Sequence, residues 1–258
     1  MFHDELDMLF YRLSVLEDVV DTFVLVESEF TFSGEPKNLI FEENQSRFAK
    51  WRHKIVHVGL GTCPFFQPHI RFDRKDQWKN EEFQRNALKR GIDSLSLTPD
   101  DLILINDVDE IPDPKTLHRL LKKEIGVQTA LSLQQDFYYY KLENQVQMKW
   151  ILPKIVSVGF FRSQGWTCHE YRWKPFPILP QGGWHLSYFG DKTSIQRKIQ
   201  HFSHQEYNQE KYTDLNRIQI CIDQHIDLFD RPEQIIRHIS LQDNDYLPPL
   251  IDLIPLSN

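Results

Sequence analysis

Two aspartates stand directly after the strongest predicted strand of the chain. Residues 101–105 read Asp-Leu-Ile-Leu-Ile, and Asn106-Asp107-Val108-Asp109-Glu110 follows. In open α/β sheets, ligands bind beyond the carboxyl ends of the strands. Carboxylate oxygens suit Mg²⁺ and Mn²⁺, and such a cation can bridge a diphosphate and neutralise the charge that builds on it as it leaves. The pattern indicates a metal site at Asp107 and Asp109, although pairs of solvated loop acids share this spacing.

A glycine-rich segment forms the second candidate. Gly182-Gly183-Trp184-His185 combines residues that permit close backbone approach with an aromatic ring beside a potential metal ligand. Taken alone, this segment is better explained as a tight turn into a core strand, with His185 simply hydrogen-bonded.

Two polar patterns on predicted helices are less specific. Glu82, Arg85 and Asn86 share one helix face, where Arg could pair with phosphate and Asn with a base or ribose. An exposed polar face explains the spacing equally well. His201 and His204 lack the glutamate of an HExxH zinc protease motif. The common hydrolase, P-loop and Rossmann signatures are absent from the sequence as well.

Hydrophobic periodicity predicts alternating helices and strands in the first half of the chain and closely spaced strands after it. We therefore expect an α/β fold, with a mixed, mainly parallel central sheet flanked by helices. Residues 1–245 form the predicted domain, and 246–258 form an extended C-terminal tail. The predicted helices are 4–16 with Asp4 as N-cap, 77–90, one from 113, 194–204 and 215–226. The predicted strands are 22–26, 54–58, 101–105, 129–133, 137–142, 155–161 and 184–189.

Composition indicates which binding partners and which cellular compartment to expect. The chain has 258 residues, with 37 acidic and 30 basic residues and a net charge of −7, which argues against nucleic-acid binding. Three widely spaced cysteines indicate no disulfide framework and favour a reducing compartment. The first residues lack a signal-peptide pattern, and no apolar stretch approaches the ~20 residues that span a bilayer. A cytoplasmic protein is the expectation, with the Golgi or another compartment open if the natural chain is longer.

Several segments together resemble glycosyltransferase family 17. They include Thr31-Phe32-Ser33-Gly34-Glu35-Pro36-Lys37, Gly183-Trp184-His185-Leu186-Ser187-Tyr188-Phe189-Gly190 and Phe202-Ser203-His204-Gln205-Glu206. Residues 4–13, 18–28 and 101–112 match as well. These segments follow the family's order over roughly the first four-fifths of the chain, so their co-occurrence is far more specific than the Asp-x-Asp pair alone.

The resemblance implies a GT-A-like fold, a UDP-sugar donor (UDP-GlcNAc in the animal enzyme), a Mn²⁺ or Mg²⁺ ion and inversion at the anomeric carbon. It also carries the metal-binding role onto Asp107 and Asp109. Family members have a strand before the stretch that matches residues 4–9. This chain begins almost at that stretch, so we expect the usual first strand to be absent or shortened. The resemblance does not carry the animal enzyme's N-glycan acceptor to this chain.

The resulting hypothesis is one in-line displacement of the sugar from UDP to a glycan hydroxyl, which a carboxylate deprotonates. The hypothetical metal ligands are Asp107, Asp109 and His185. The hypothetical nucleotide contacts are Glu27, Arg85, Asn86, Asp107 and Trp184. The candidate general bases are Glu110, Glu170 and Glu206, with Asp136 a weaker one.

Two other classes remain open at this point. A metal-dependent nucleotidyltransferase or phosphohydrolase could use the same acidic strand end, but a nucleotidyltransferase usually carries a glycine-rich basic loop near its N-terminus, and none is visible. A non-catalytic glycan-binding module would fit the 13% aromatic content but would not need the Asp-x-Asp pair.

Overall fold

The computed structural model describes residues 1–255, in which helices and strands form an α/β fold. The helices are α1 (Leu6–Leu16), α2 (Ile40–Glu43), α3 (Asp76–Asn86), α4 (Leu88–Asp93), α5 (Pro114–Leu121), α6 (Val158–Gln164), α7 (Cys168–Trp173), α8 (Lys192–His201), α9 (Glu210–Thr213) and α10 (Leu215–Gln224). The strands are β1 (Phe23–Ser28), β2 (Ile55–Leu60), β3 (Leu102–Ile105), β4 (Glu110–Pro112), β5 (Ala130–Tyr139), β6 (Asn144–Trp150), β7 (Lys154–Ser157), β8 (Ile178–Ser187) and β9 (Ile236–His238). Short 3-10 helices cover Gln45–Lys54, Phe72–Arg74, Gln205–Tyr207 and Ile251–Leu253.

The sheet is mixed, but the prediction that it is mainly parallel is wrong. Among the described residues, β1–β2 and β5–β8 pair parallel. The pairs β3–β7, β4–β8, β5–β6, β5–β7 and β6–β9 are antiparallel. The connection between β5 and β6 is too short for the crossover that parallel neighbours need, so the chain reverses direction there. Strand β7 then runs in the same direction as β6, so it too is antiparallel to β5. Long β5 is the centre of the larger sheet, because β6, β7 and β8 all pair with it.

An open cleft separates β1 from β3. Alternate residues of both strands face the same two apolar clusters: Leu25 and Leu104 lie in one, and Val26 and Ile105 in the other. The two strands therefore lie in one layer, yet no strand pairing joins them among residues 1–255. Instead they line a cavity of about 380 Å³. The predicted early strand corresponds to β1, and no strand precedes α1 in the described chain.

Two glycines of β8 allow the close backbone approach that the sequence suggested. Gly183 has a φ of 126°, and a Cβ there would lie 2.0 Å from the carbonyl oxygen of Ile111 in β4. A Cβ on Gly182 would lie 2.7 Å from Cβ of Leu133 in β5. Larger residues would therefore push β8 away from the strands that carry the acidic residues.

Several predicted boundaries need correction, and local hydrogen bonds supply the reasons. The apolar run 155–161 is not one strand, because the Ser157 side chain caps the start of α6. Residues 129–133 and 137–142 belong mainly to one strand, β5, rather than two. The helix predicted at 77–90 is divided into α3 and α4, and 194–204 is helical only to His201. Helix α1 starts at Leu6 with Glu5, not Asp4, at its N-cap. Strand β6 and helix α7 were missed.

The end of the described chain packs onto the body of the protein. Tyr11 of α1 donates a hydrogen bond to the carbonyl of Pro249 at 2.8 Å, and Trp184 of β8 donates one to the carbonyl of Tyr246 at 2.9 Å. Residues 256–258 of the predicted tail lie outside the described residues. Cys63, Cys168 and Cys221 are buried free thiols. Within residues 1–255, no helix is long and apolar enough to cross a bilayer.

Candidate active site

One arginine holds the turn that carries the acidic residues. The turn links β3 to β4, and Arg12 of α1 donates to the carbonyls of Asp107 at 3.0 Å and Glu110 at 2.6 Å. It also donates to Oδ1 of Asn106 at 2.8 Å, while the Asn106 amide bonds the carbonyl of Glu110. Because both ends of the turn share one half-buried donor, Arg12, the backbone that carries the carboxylates is fixed.

Two buried arginines form ion pairs with Asp107. Arg85 of α3 reaches Oδ1 at 2.7 Å, and Arg172 of α7 reaches Oδ2 at 2.9 Å. Burial alone would raise the pKa of Asp107, but Arg172 and Arg85 outweigh it and hold the pKa well below its usual range. Asp107 is therefore a carboxylate at any pH at which the protein functions.

Glu110 is fully buried and saturated with donors. Arg172 contacts both carboxylate oxygens at 2.5 and 3.0 Å, and the indole N–H of Trp150 donates at 2.6 Å. The backbone N–H of Asp107 adds a bond at 2.7 Å. A carboxylate with this many fixed donors has little capacity to take a substrate proton, so the geometry favours a positioning role for Glu110.

Asp109 has partners different from those of Asp107 and Glu110. Its Oδ2 lies 2.8 Å from Nζ of Lys198 on α8 and 3.7 Å from Nε2 of His185 on β8. His185 stands opposite Glu110 in the β4–β8 register and stacks on the ring of Phe137 with centroids 4.6 Å apart. Burial would raise the pKa of Asp109, but Lys198 and His185 lower it below its usual range.

The three predicted metal ligands do not converge on one point. Among residues 1–255, no three His, Cys, Asp or Glu side chains are grouped to hold a metal ion. Asp109 and His185 face each other, with Nε2 of His185 3.7 Å from Oδ2 of Asp109, and they offer the oxygen and nitrogen donors that Mn²⁺ accepts. Asp107 is held by its two arginines instead. The donor set thus fits a divalent cation through Asp109 and His185.

Of the predicted nucleotide contacts, Arg85 and Asp107 contact each other. Glu27, Asn86 and Trp184 have other partners. Glu27 ends β1 fully buried, where it accepts from the N–H of Phe41 at 3.0 Å. The Asn86 side chain accepts from the backbone of His169, and Trp184 packs in the core. On α3, the residue that pairs with Arg85 is Glu81 at 2.9 Å; Glu82 is exposed.

The remaining candidate bases are engaged in local structure. Glu170 forms a capping box with Thr167 at the start of α7. Glu206 is exposed and lies 2.7 Å from the ring of His204. Asp136 on β5 pairs with Lys149 at 2.5 Å.

Four residues of the centre were absent from the sequence interpretation: Arg12, Trp150, Arg172 and Lys198. Arg12 offered a signal, because it is a charge within the apolar helix 4–16. The Thr167-Cys168-His169-Glu170 pattern is a capping box that predicts a helix start, and this helix carries Arg172. Trp150 and Lys198 offered none, since their contacts join residues 40 and 89 positions apart.

Three mammalian enzymes are similar in sequence to part of this chain. The human β-1,4-mannosyl-glycoprotein 4-β-N-acetylglucosaminyltransferase is 41% identical over 112 residues, which cover 42% of this chain and 20% of that protein. The rat and mouse enzymes of the same name are 41% and 40% identical over the same length. The match therefore spans only about a fifth of these relatives. No solved structure matches significantly. The profile of glycosyltransferase family 17 matches residues 1–239, and the chain belongs to that family.

Proposed function

We propose that this protein is an inverting glycosyltransferase that moves GlcNAc from UDP-GlcNAc to a hydroxyl of a glycan acceptor. Family membership and the relatives' names support the transfer of GlcNAc to a glycan. The same support favours sugar transfer over nucleotidyl transfer, phosphate release or glycan binding without turnover.

The observation that carries the proposal is the fixed acidic turn of Asp107, Asp109 and Glu110. Arg12 binds its backbone, and Arg85 and Arg172 bind Asp107. Such fixed groups stabilise charge without reorganising during the reaction. A folded protein that needed only stability would gain little from so many buried ions, because their desolvation offsets most of their attraction. The arrangement is better explained by binding of a charged substrate.

A divalent cation belongs to the proposal as the partner of the diphosphate. Asp109 and His185 would hold it, and when bound it would supply positive charge to the leaving UDP. We assign Arg85 and Arg172 to keeping Asp107 ionised and directed into the site. The aromatic group of Phe137, Trp150 and His185 forms an apolar wall beside Asp109 that would help to exclude water from the donor.

The matched pair Asp109→Asn and Asp223→Asn tests this assignment. Both changes remove one carboxylate, but Asp223 is an exposed residue of α10, away from the acidic turn. We expect Asp109→Asn to lower UDP release from UDP-GlcNAc by about 100-fold or more, a typical loss for one electrostatic group in an active site. Asp223→Asn should keep wild-type activity. Full activity of folded Asp109→Asn would contradict the assignment.

A further inference from the structure

A lysine contacts the carboxylate oxygen of Asp109 that faces His185. Nζ of Lys198 lies 2.8 Å from Oδ2 of Asp109, and the same oxygen is the one that faces His185 at 3.7 Å. The Lys198 side chain is 29% exposed and that of Asp109 11%. The ammonium is therefore on the more exposed side chain of the pair, whereas the carboxylate is largely buried.

The side-chain charges of the centre balance without any ligand. The amino group of Met1 also lies 3.9 Å from Oδ1 of Asp107, and burial lowers its pKa. Four carboxylates and four cationic side chains of residues 1–255 contact one another across the turn. The carboxylates belong to Glu81, Asp107, Asp109 and Glu110, and the cations to Arg12, Arg85, Arg172 and Lys198.

This balance makes separate binding of a cation or a diphosphate unfavourable. A divalent cation alone would add two uncompensated positive charges to a buried site, and a diphosphate alone would add two negative ones. Uncompensated buried charge is costly. Bound together, the two ligands leave the balance unchanged, so each should strengthen binding of the other.

Lys198 is the member of the set that can exchange partners. Arg85 and Arg172 are almost fully buried and each bonds two carboxylates, whereas Lys198 has one carboxylate partner and a flexible four-carbon stem. Its ammonium lies 5.5 Å from the ring centre of Tyr188, a cation–π contact that helps to keep the charge beside Asp109 until it is exchanged.

We propose that Lys198 is a tethered counter-ion that occupies Asp109 until the diphosphate arrives and then transfers its charge to the diphosphate oxygens. Divalent-cation binding to Asp109 is thereby coupled to donor binding. This inference rests on the proposed function, since it assumes that Asp109 holds the cation.

Mn²⁺ binding measured by electron paramagnetic resonance, with and without UDP, tests the inference without any activity assay. Wild type should bind Mn²⁺ about tenfold or more tightly when UDP is present, which is a coupling of typical size. Lys198→Met should bind Mn²⁺ alone about tenfold more tightly than wild type and should lose most of the coupling. Lys192→Met is the matched control on the same helix and should behave as wild type. Lys198→Gln replaces Lys198→Met if the latter does not fold, as judged by thermal unfolding.

The outcomes separate this inference from the proposed function. Unchanged Mn²⁺ affinity in a folded Lys198 variant, with Mn²⁺–UDP binding intact, would overturn the role of Lys198 and leave the proposed function standing. Tight Mn²⁺ binding by wild type without UDP would have the same meaning. Absence of Mn²⁺ binding by wild type even with UDP would overturn both.

Discussion

The acidic turn and the cleft between β1 and β3 lie side by side and are built in opposite ways. In the turn, every carboxylate has fixed partners, and Arg12 and Arg172 each bind more than one acceptor. In the cleft, two apolar strands face a cavity of about 380 Å³ without strand pairing. The turn is held by ion pairs and backbone hydrogen bonds, whereas the walls of the cleft lack strand pairing. Substitutions in the turn should therefore lower the free energy of unfolding strongly. Substitutions that add volume in the cleft should change it little.

The largest expected effect is the loss of Arg172. Arg172→Ala leaves the fully buried Glu110 and the carboxylate of Asp107 without their shared partner. We expect the free energy of unfolding to fall by about 3–5 kcal/mol, as when one partner of a buried ion pair is removed. Urea unfolding measures this change. Arg162→Ala, an exposed arginine on α6, should change it by less than about 0.5 kcal/mol. Equal small effects would show that the turn is not the rigid centre inferred here.

A smaller effect distinguishes the cleft from the packed core. Leu104→Phe adds volume on the cleft side of β3, where space exists, so we expect a change in unfolding free energy within about 1 kcal/mol. Leu133→Phe adds the same volume to a fully buried core position outside the cleft and should destabilise by about 1–3 kcal/mol. Equal destabilisation by both changes would mean that the cleft is closed in solution.

The smallest effect concerns pH, where a histidine pair beside the turn differs from the turn itself. Burial lowers the pKa of His3 to about 3, with a smaller contribution from His201, whose Nδ1 lies 3.2 Å from Nε2 of His3. Between pH 3 and the ordinary value of 6.5, the unfolded chain binds a proton that the folded one does not. Stability should therefore fall as pH drops through this range. His3→Gln should reduce the slope of unfolding free energy against pH by the equivalent of up to about one bound proton. Denaturant unfolding at pH 5 to 6.5 measures this slope. The other charged groups that influence this pair are Asp4, Glu5, Glu35, Lys37 and Arg197.

The carboxylates of the turn should add little slope between pH 5 and 6.5. The pKa values of Asp107 and Asp109 are lowered, so their contribution to stability is complete above about pH 5 and is lost progressively at lower pH. An unchanged slope in His3→Gln would place the pH dependence elsewhere in the chain.

The sequence predicted local features better than long-range ones. The run Leu102–Ile105 followed by two aspartates identified β3 and the acidic turn, because a buried strand and its polar end are adjacent in sequence. Strand direction was mispredicted, since pairing of β5 with β7 depends on chain reversals that periodicity does not encode. Residues 155–161 were assigned to a strand because an apolar run gives the same signal in a strand and in the start of a buried helix.

The candidate site shows the same difference between local and long-range features. Asp107, Asp109 and His185 were identified from motifs, and the structure brings Asp109 and His185 within 3.7 Å. The cations that determine the charge of the site were not identified, because Arg12, Arg172 and Lys198 reach it from helices far away in sequence. Nothing local distinguishes such residues from those of a solvated helix face.

A UDP-release assay tests the central claim most directly. Purified protein is incubated with UDP-GlcNAc and other UDP-sugars in the presence of Mn²⁺, with and without EDTA, and the products are identified by mass spectrometry after addition of glycan acceptors. The account predicts release of UDP from UDP-GlcNAc that EDTA abolishes, with GlcNAc joined to an acceptor. UDP release that EDTA leaves unchanged would contradict the role given to Asp109 and His185, and release of inorganic phosphate in place of UDP would contradict glycosyl transfer itself.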